Sequence, residues 1–290
     1  MPIWADPARG ERVRLLADDD LTLLGMFVSP PSARPTAADL RAVPGTDLER
    51  FAAVAVRDMP GVRVTTQPAE AAALLAAGAT LDRTLVHMVR RGLQDGPAKR
   101  EDQGPGVPAE REAEGPPPLQ WAAPHLAAGL DLVGVEAADH DELAAAQRLA
   151  YGPGHPDHEA VTLAQASGML EALLAGDLLG PVYADASSLV RNDEGRAVAC
   201  LVATLWEGIG EEWPGGPWVV DLFKAPGAPT GLGRSLLKRA VAVCALDGHD
   251  AVGLSVNAAN PARRLCDDLG FCDAFSRVSL DLPGAWPAPA

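Results

Sequence analysis

The stretch that most constrains this chain runs from residue 218 to residue 271, because it lays down strand, glycine loop, helix, strand and helix in unbroken order. Residues 218–223, WVVDLF, are apolar except for Asp221, which predicts a strand buried on both faces. The prolines and glycines of KAPGAPTGLGR then end that strand. From Leu232 onward Leu236, Leu237, Ala240, Val241 and Cys244 recur at helical spacing, so Gly231 and Gly233 fall in the first turn of a helix. A helix start exposes unbonded N–H groups and the positive end of the backbone dipole, and glycine lets an anion approach both closely. A second strand is predicted over 252–256. Asn260 and Pro261 open a further helix as cap and first residue, and Gly270 stops it.

In this order the segment resembles the GNAT superfamily of N-acetyltransferases, whose members carry a Gly-x-Gly/Ala loop at the helix start and, after the next strand, a motif running from Asn through Leu-Tyr to Leu-Gly-Phe. Here that motif reads NPARRLCDDLGF, with Asn260, Pro261, Leu265, Leu269, Gly270 and Phe271 as its matching positions. The likeness extends over residues 130–282. It implies an α/β (α+β) fold, a mixed and largely antiparallel sheet flanked by helices. It also implies an acetyl-CoA-dependent N-acetyltransferase that passes an acetyl group to a primary amine by direct attack, with Thr230, Gly231, Leu232, Gly233 and Arg234 on the pyrophosphate of coenzyme A. The backbone of Leu222, Phe223 and Lys224 would pair with the pantetheine arm, which Asn260 would also reach.

The same resemblance frames the proton transfers. Asp221 is the one ionisable side chain in the middle of its strand, and an apolar setting raises a carboxyl pKa, so it is the candidate general base. Cys266 stands where many relatives place the tyrosine that protonates the leaving thiolate, and it is the second catalytic candidate. Glu211 and Glu212 are alternatives to Asp221, while Trp206, Trp213 and Trp218 cluster in sequence as the wall of an apolar acceptor pocket or as ordinary core. Ala228 replaces the family's Gln/Arg, and Pro229 removes an N–H from the loop. Together with Cys266 these departures leave open a second reading, a catalytically inactive acyl-CoA-binding or regulatory module.

Charge and cysteine usage set limits on partners. A formal net charge of −15 argues against general binding of nucleic acid or anionic membrane, both of which need a positive surface. The four cysteines, at 200, 244, 266 and 272, form no Cys-x-x-Cys pair, so neither zinc site nor disulfide framework is indicated and a reducing cytoplasm fits. His155 and His158 lie three apart without a third ligand nearby, which argues against a metal site; the resemblance implies instead that their loop, between the first two helices, helps form the acceptor site. No apolar run reaches the ~18 residues of a membrane span. The partners expected are a small-molecule or peptide amine acceptor, no nucleic acid and no membrane; a homodimer is allowed.

The remaining chain divides by composition. Residues 94–120 are dominated by Pro, Gly and charge and read as a linker between a lobe at 1–93 and the transferase domain at 121–290. In the lobe, strands are predicted at 13–17 and 21–28 around the acidic turn 18–20, a helix capped by Asp47, a strand at 62–66, a short helix at 68–77 and a strand at 80–89. Shifting the chain by 192 positions sets Val62 on Leu254, Val64 on Val256, Gly78 on Gly270 and Met88 on Leu280, an echo that suggests a tandem repeat with the smaller, GNAT-like lobe first. That lobe has no Gly-x-Gly before its helix and is assigned no coenzyme site. In the second domain, a strand is expected at 130–135, a helix after Asp139, a helix at 161–174, and a hairpin turning at 192–195.

Overall fold

A computed structural model of the protein describes residues 3–5, 13–28, 36–94, 117–208 and 212–285. Most of the expected linker and Glu211 lie outside the described residues. Among the described residues, twelve strands and six α-helices form a mixed α/β fold with largely antiparallel sheet pairing. The chain makes two compact units, Met1–Val86 with Ser276–Ala290, and His87–Phe275. The last strand of the chain therefore completes the first unit, and residues ahead of the linker join the second.

The first unit contains β1 (Ile3–Ala5), β2 (Val13–Ala17), β3 (Leu23–Val28), β4 (Thr36–Ala42), α1 (Leu48–Asp58), β5 (Arg63–Thr66), α2 (Pro68–Ala76) and the opening of β6 (Thr80–Arg91). The acidic turn forms as expected, with Asp18 Oδ1 accepting from Asp20 N (3.0 Å) and Thr22 N (2.8 Å) and β2 and β3 antiparallel on either side. Asp47 caps α1 by accepting from Glu49 N at 2.9 Å. Strand β4 was not legible in TAADLRA: its register with β5 shifts between Ala37 and Leu40, where Asp39 adopts a left-handed φ of 53°, so the period-two alternation is broken. The apolar sides of α1 and α2 pack with Leu16, Leu24, Leu40, Val64 and Leu280 into one core.

The second unit holds β7 (Leu130–Val133), α3 (His140–Ala150), α4 (Leu163–Leu174), β8 (Ser188–Asn192), β9 (Ala197–Trp206), β10 (Gly216–Lys224), α5 (Leu232–Leu246), β11 (Ala251–Asn257), α6 (Arg263–Asp268) and the start of β12 (Cys272–Asp281). Its strand order is β6-β11-β10-β9-β8-β7. Asp139 caps α3 through Glu142 N (2.9 Å), and Thr162 with Gln165 forms a full capping box at α4. These two helices bury Leu143, Ala144, Leu170 and Leu173 against Leu189, Cys200, Val202 and Phe223. Helix α6 begins three residues later than its Asn-Pro signal: Asn260 Oδ1 does accept from Ala262 N (2.8 Å), but the first turn bonds at i→i+3 spacing. The series strand, helix, strand, helix, strand thus occurs twice, as β4-α1-β5-α2-β6 and β10-α5-β11-α6-β12, with Gly78 and Gly270 both left-handed at the second helix end.

Candidate active site

Strands β10 and β11 run parallel but pair only at Trp218 with Gly253 and at Val219 with Leu254. Beyond that point they separate. On its other side β10 keeps its antiparallel ladder with β9 to the end, through a bulge between Val219 and Asp221. The expectation of a strand buried on both faces therefore holds for its first half, whereas Val220, Asp221 and Leu222 are only half-buried where β11 leaves. Ala225 N–H donates to Val198 O at 2.8 Å, so by the alternation of the ladder Phe223 directs its N–H and C=O toward β9. Leu222 and Lys224 direct theirs into the split.

At the end of β10 the chain turns through residues 225–231 into α5. Lys224 Nζ folds back onto this loop, donating to Ala228 O at 3.0 Å. Gly231 is the helix cap, with φ of 85° and no side-chain cap bond. Ser235 N returns to Gly231 O (3.0 Å), and the N–H groups of Gly231, Leu232, Gly233 and Arg234 donate to no acceptor among the described residues. A Cβ on either Gly231 or Gly233 would meet nothing within 4 Å, so neither glycine is crowded by its surroundings. The Arg234 side chain does not face that space as a free cation but is ion-paired with Asp268 of α6.

The first unit builds the same two places differently. There β4 and β5 remain paired through Leu40 with Thr66, and the buried Thr66 hydroxyl donates to Leu40 O at 2.5 Å. Helix α1 is capped by its own Asp47. At these two places neither an open split nor an uncapped helix start is left.

Asp221 lies just past the bulge and is held from α3. Its Oδ2 accepts from Gln147 Nε2 at 2.5 Å, and its Oδ1 accepts from the Tyr151 hydroxyl at 2.8 Å. The Tyr151 oxygen also lies 3.0 Å from Leu222 O, at the edge of the split. Burial pushes the Asp221 carboxyl above the usual range, although the Tyr151 and Gln147 bonds oppose that rise. Burial and the neighbouring Asp221 charge push Tyr151 well above an ordinary phenol, so its hydroxyl stays protonated. Gln147 and Tyr151 were missed in the sequence as site residues. Their signal, four positions apart on one helical face with Tyr151 at the helix end, is indistinguishable from ordinary packing.

The loop after Tyr151 ties the two separated strands. Tyr151 bonds to β10, while Asn257 Nδ2 donates to Pro156 O (2.8 Å) and Asn260 Nδ2 to Asp157 Oδ2 (2.6 Å). Asn260 is thus bonded within the protein at both ends of its amide, to Asp157 and Ala262. His155 Nδ1 accepts from Asp157 N at 3.1 Å, and His158 Nδ1 lies 2.8 Å from Tyr151 O, so both histidines brace this loop. Among the described residues no group of three His, Cys, Asp or Glu gathers as a metal site.

Cys266 is buried on α6, 6% exposed, and burial pushes its thiol up to about 12. Thr230 is exposed at the loop's end. The three tryptophans do come together: the Trp218 ring lies 4.9 Å from that of Trp206 and 5.2 Å from that of Trp213, both edge-on. Among the described residues no helix is long and apolar enough to cross a membrane.

No protein-family model and no curated protein matches the chain. Solved structures do. A GCN5-related N-acetyltransferase from Sphaerobacter thermophilus shares 17% identity over 96% of this chain and 83% of its own, with a TM-score of 0.57. A tandem GNAT protein from the clavulanic acid biosynthesis pathway gives 15% identity, the same coverages and a TM-score of 0.53. A GCN5-related N-acetyltransferase from Kribbella flavida gives 17% identity over 91% of this chain and 89% of its own, at 0.50. Such identities speak to fold, and the fold of this chain is that of the GCN5-related N-acetyltransferases.

Proposed function

We propose that the second unit is an acyltransferase that moves an acetyl group from acetyl-CoA to a primary amine by direct attack. The observation that carries this reading is the coincidence, at the end of β10, of the β10/β11 split with an uncapped helix start whose glycines are uncrowded. The N–H groups of residues 231–234 suit a diphosphate, and the backbone of Leu222 and Lys224, turned into the split, suits an amide-bearing arm laid along it. Acetyl-CoA supplies an activated acetyl thioester. What this chain contributes is alignment, plus backbone donors at the strand edge where charge develops on a carbonyl oxygen.

Asp221 is the base in this reading. Its two oxygens are already covered by Gln147 and Tyr151, so the amine proton reaches it through the Tyr151 hydroxyl, which gives its own proton to Oδ1. A carboxyl pKa raised by burial makes Asp221 the stronger base for this step. The burial of Cys266 removes it from easy reach of a leaving thiolate and favours a packing role. The doubled strand-helix series supports a tandem repeat whose first member, paired through and self-capped, has no coenzyme site. A net charge of −15 favours the approach of a cationic amine, and four free cysteines suit a reducing cytoplasm.

A thermal-shift titration with coenzyme A, followed by thiol release from acetyl-CoA with a panel of amines, tests the reading. A concentration-dependent shift is expected, of about 2.7 kcal/mol at a hundred times Kd. A shift without turnover would instead favour the inactive acyl-CoA-binding module.

A further inference from the structure

The face of the sheet that carries Asp221 continues past α3 and α4 into a set of rings that no part of the mechanism above uses. Paired residues of neighbouring strands point to the same side, so Trp218, Gly253 and, two residues on, Ser255 share one face. Trp218 opposes Thr204 and Asp221 opposes Val202 on β9, which puts Asp221 on that face as well. Past the last rung, the two sides of the split thus present Asp221 from β10 and Ser255 from β11.

Ser255 is exposed, and its hydroxyl lies 2.9 Å from Nδ1 of His87. His87 comes from β6, in the N-terminal half of the sequence, and belongs to the second unit. Its ring stacks on Phe275 at 4.2 Å with 16° between planes and leans on Trp218 at 5.7 Å. Trp206, Val220 and Phe275 extend this cluster as half-buried edges. The result is a polar pair set in an aromatic and aliphatic surround, beside the split and on the side of the candidate base.

We propose that Ser255, held by His87, positions the attacking nitrogen, and that the acceptor is a primary amine carried on a flat, apolar body seated against the half-buried edges of Phe275 and Trp206, which the buried His87 and Trp218 rings support from behind. This rests on the acetyltransferase reading. In the tautomer where Nδ1 accepts the Ser255 hydroxyl proton, Oγ keeps its lone pairs for an amine N–H. That bond turns the nitrogen lone pair toward the split while a second N–H faces Tyr151. An aromatic wall stabilises an aryl or apolar body and offers few partners to a polyamine or a sugar, whose polar groups lose water without replacement. Ser255 touches the substrate, and His87 is a positioning residue acting through it.

The test is thiol release from acetyl-CoA with 2-phenylethylamine, spermidine and glucosamine as probes, together with the coenzyme A thermal shift. Wild type is expected to prefer 2-phenylethylamine at least tenfold in kcat/KM. Ser255→Ala and His87→Phe, the latter keeping a ring on Phe275, are expected to lower that value tenfold or more while leaving KM for acetyl-CoA and the thermal shift unchanged; Ser255→Thr, which retains the hydroxyl, should recover most of it. A preference for spermidine or glucosamine, or a Ser255→Ala value within twofold of wild type, overturns the proposal alone. If His87→Phe does not fold, exposed Ser255 still decides. A wild type that binds coenzyme A but turns over no amine removes the transferase reading and this one with it.

Discussion

The indole of Trp218 lies directly over Gly253, its neighbour across the first of the two rungs that join β10 and β11: a Cβ built on Gly253 would stand 2.1 Å from the ring. Only a residue without a side chain permits the two strands to pair here with a tryptophan between them and solvent. Trp218 has nowhere to retreat, since Trp206, Trp213 and His87 surround it. Gly253→Ala is therefore expected to destabilise the protein by about 1–3 kcal/mol, read as a lowered denaturant midpoint. It should also weaken turnover, because the vertex of the split moves.

Gly231 gives the opposite case, a glycine needed for its backbone and its openness rather than for packing. Its φ of 85° costs an L-residue about 1–2 kcal/mol, and the open space before it means that no clash adds to this. Gly231→Asp is expected to abolish the coenzyme A thermal shift by setting a negative charge before the free N–H groups. Gly231→Asn, which tolerates the left-handed region, should keep part of the shift. An undiminished shift in the Asp variant would exclude this helix start as the phosphate site.

The Asp221 contacts make a signed pH prediction. A base must be deprotonated, so activity falls as pH drops through its pKa, and burial places that limb above the ordinary carboxylate value of about 3.9. Gln147 and Tyr151 pull the pKa down by stabilising the charge. Gln147→Leu removes one of them, so the acid limb of kcat/KM should move to higher pH; a limb that stays or moves down would refute Asp221 as the titrating group. For stability the sign is also fixed: a carboxyl whose folded pKa is raised binds its proton more tightly when folded, so its contribution declines as pH rises from the unfolded value through the folded one.

Asp221→Asn and Tyr151→Phe should each lower turnover by about 10²-fold or more while leaving the coenzyme A thermal shift in place. Loss of the shift in both would mean that the pair shapes the split instead of moving a proton. Cys266→Ala, by contrast, is expected to keep turnover within about threefold and to lose about 1 kcal/mol of stability, as for a small buried side chain.

Much of this molecule was legible residue by residue. The caps at Asp47 and Asp139, the acidic turn at Asp18, the glycine start of α5 and the stop at Gly270 were all read from local sequence, because each depends on a few adjacent groups satisfying one another's backbone. Strand β4 was not, since a bulge with left-handed Asp39 erases the alternation by which strands are recognised.

The sequence by itself therefore determined most of the helices and strands and where a helix begins with unbonded donors. Only the tertiary structure decided that β10 and β11 part after Val219, that Gln147 and Tyr151 reach Asp221, that Arg234 turns to Asp268, and that His87 meets Ser255 from 168 residues away. The physical reason is range. Capping and periodicity act over a turn of chain, whereas strand pairing and side-chain partnership are chosen among all segments that fold together, and no local pattern encodes that choice.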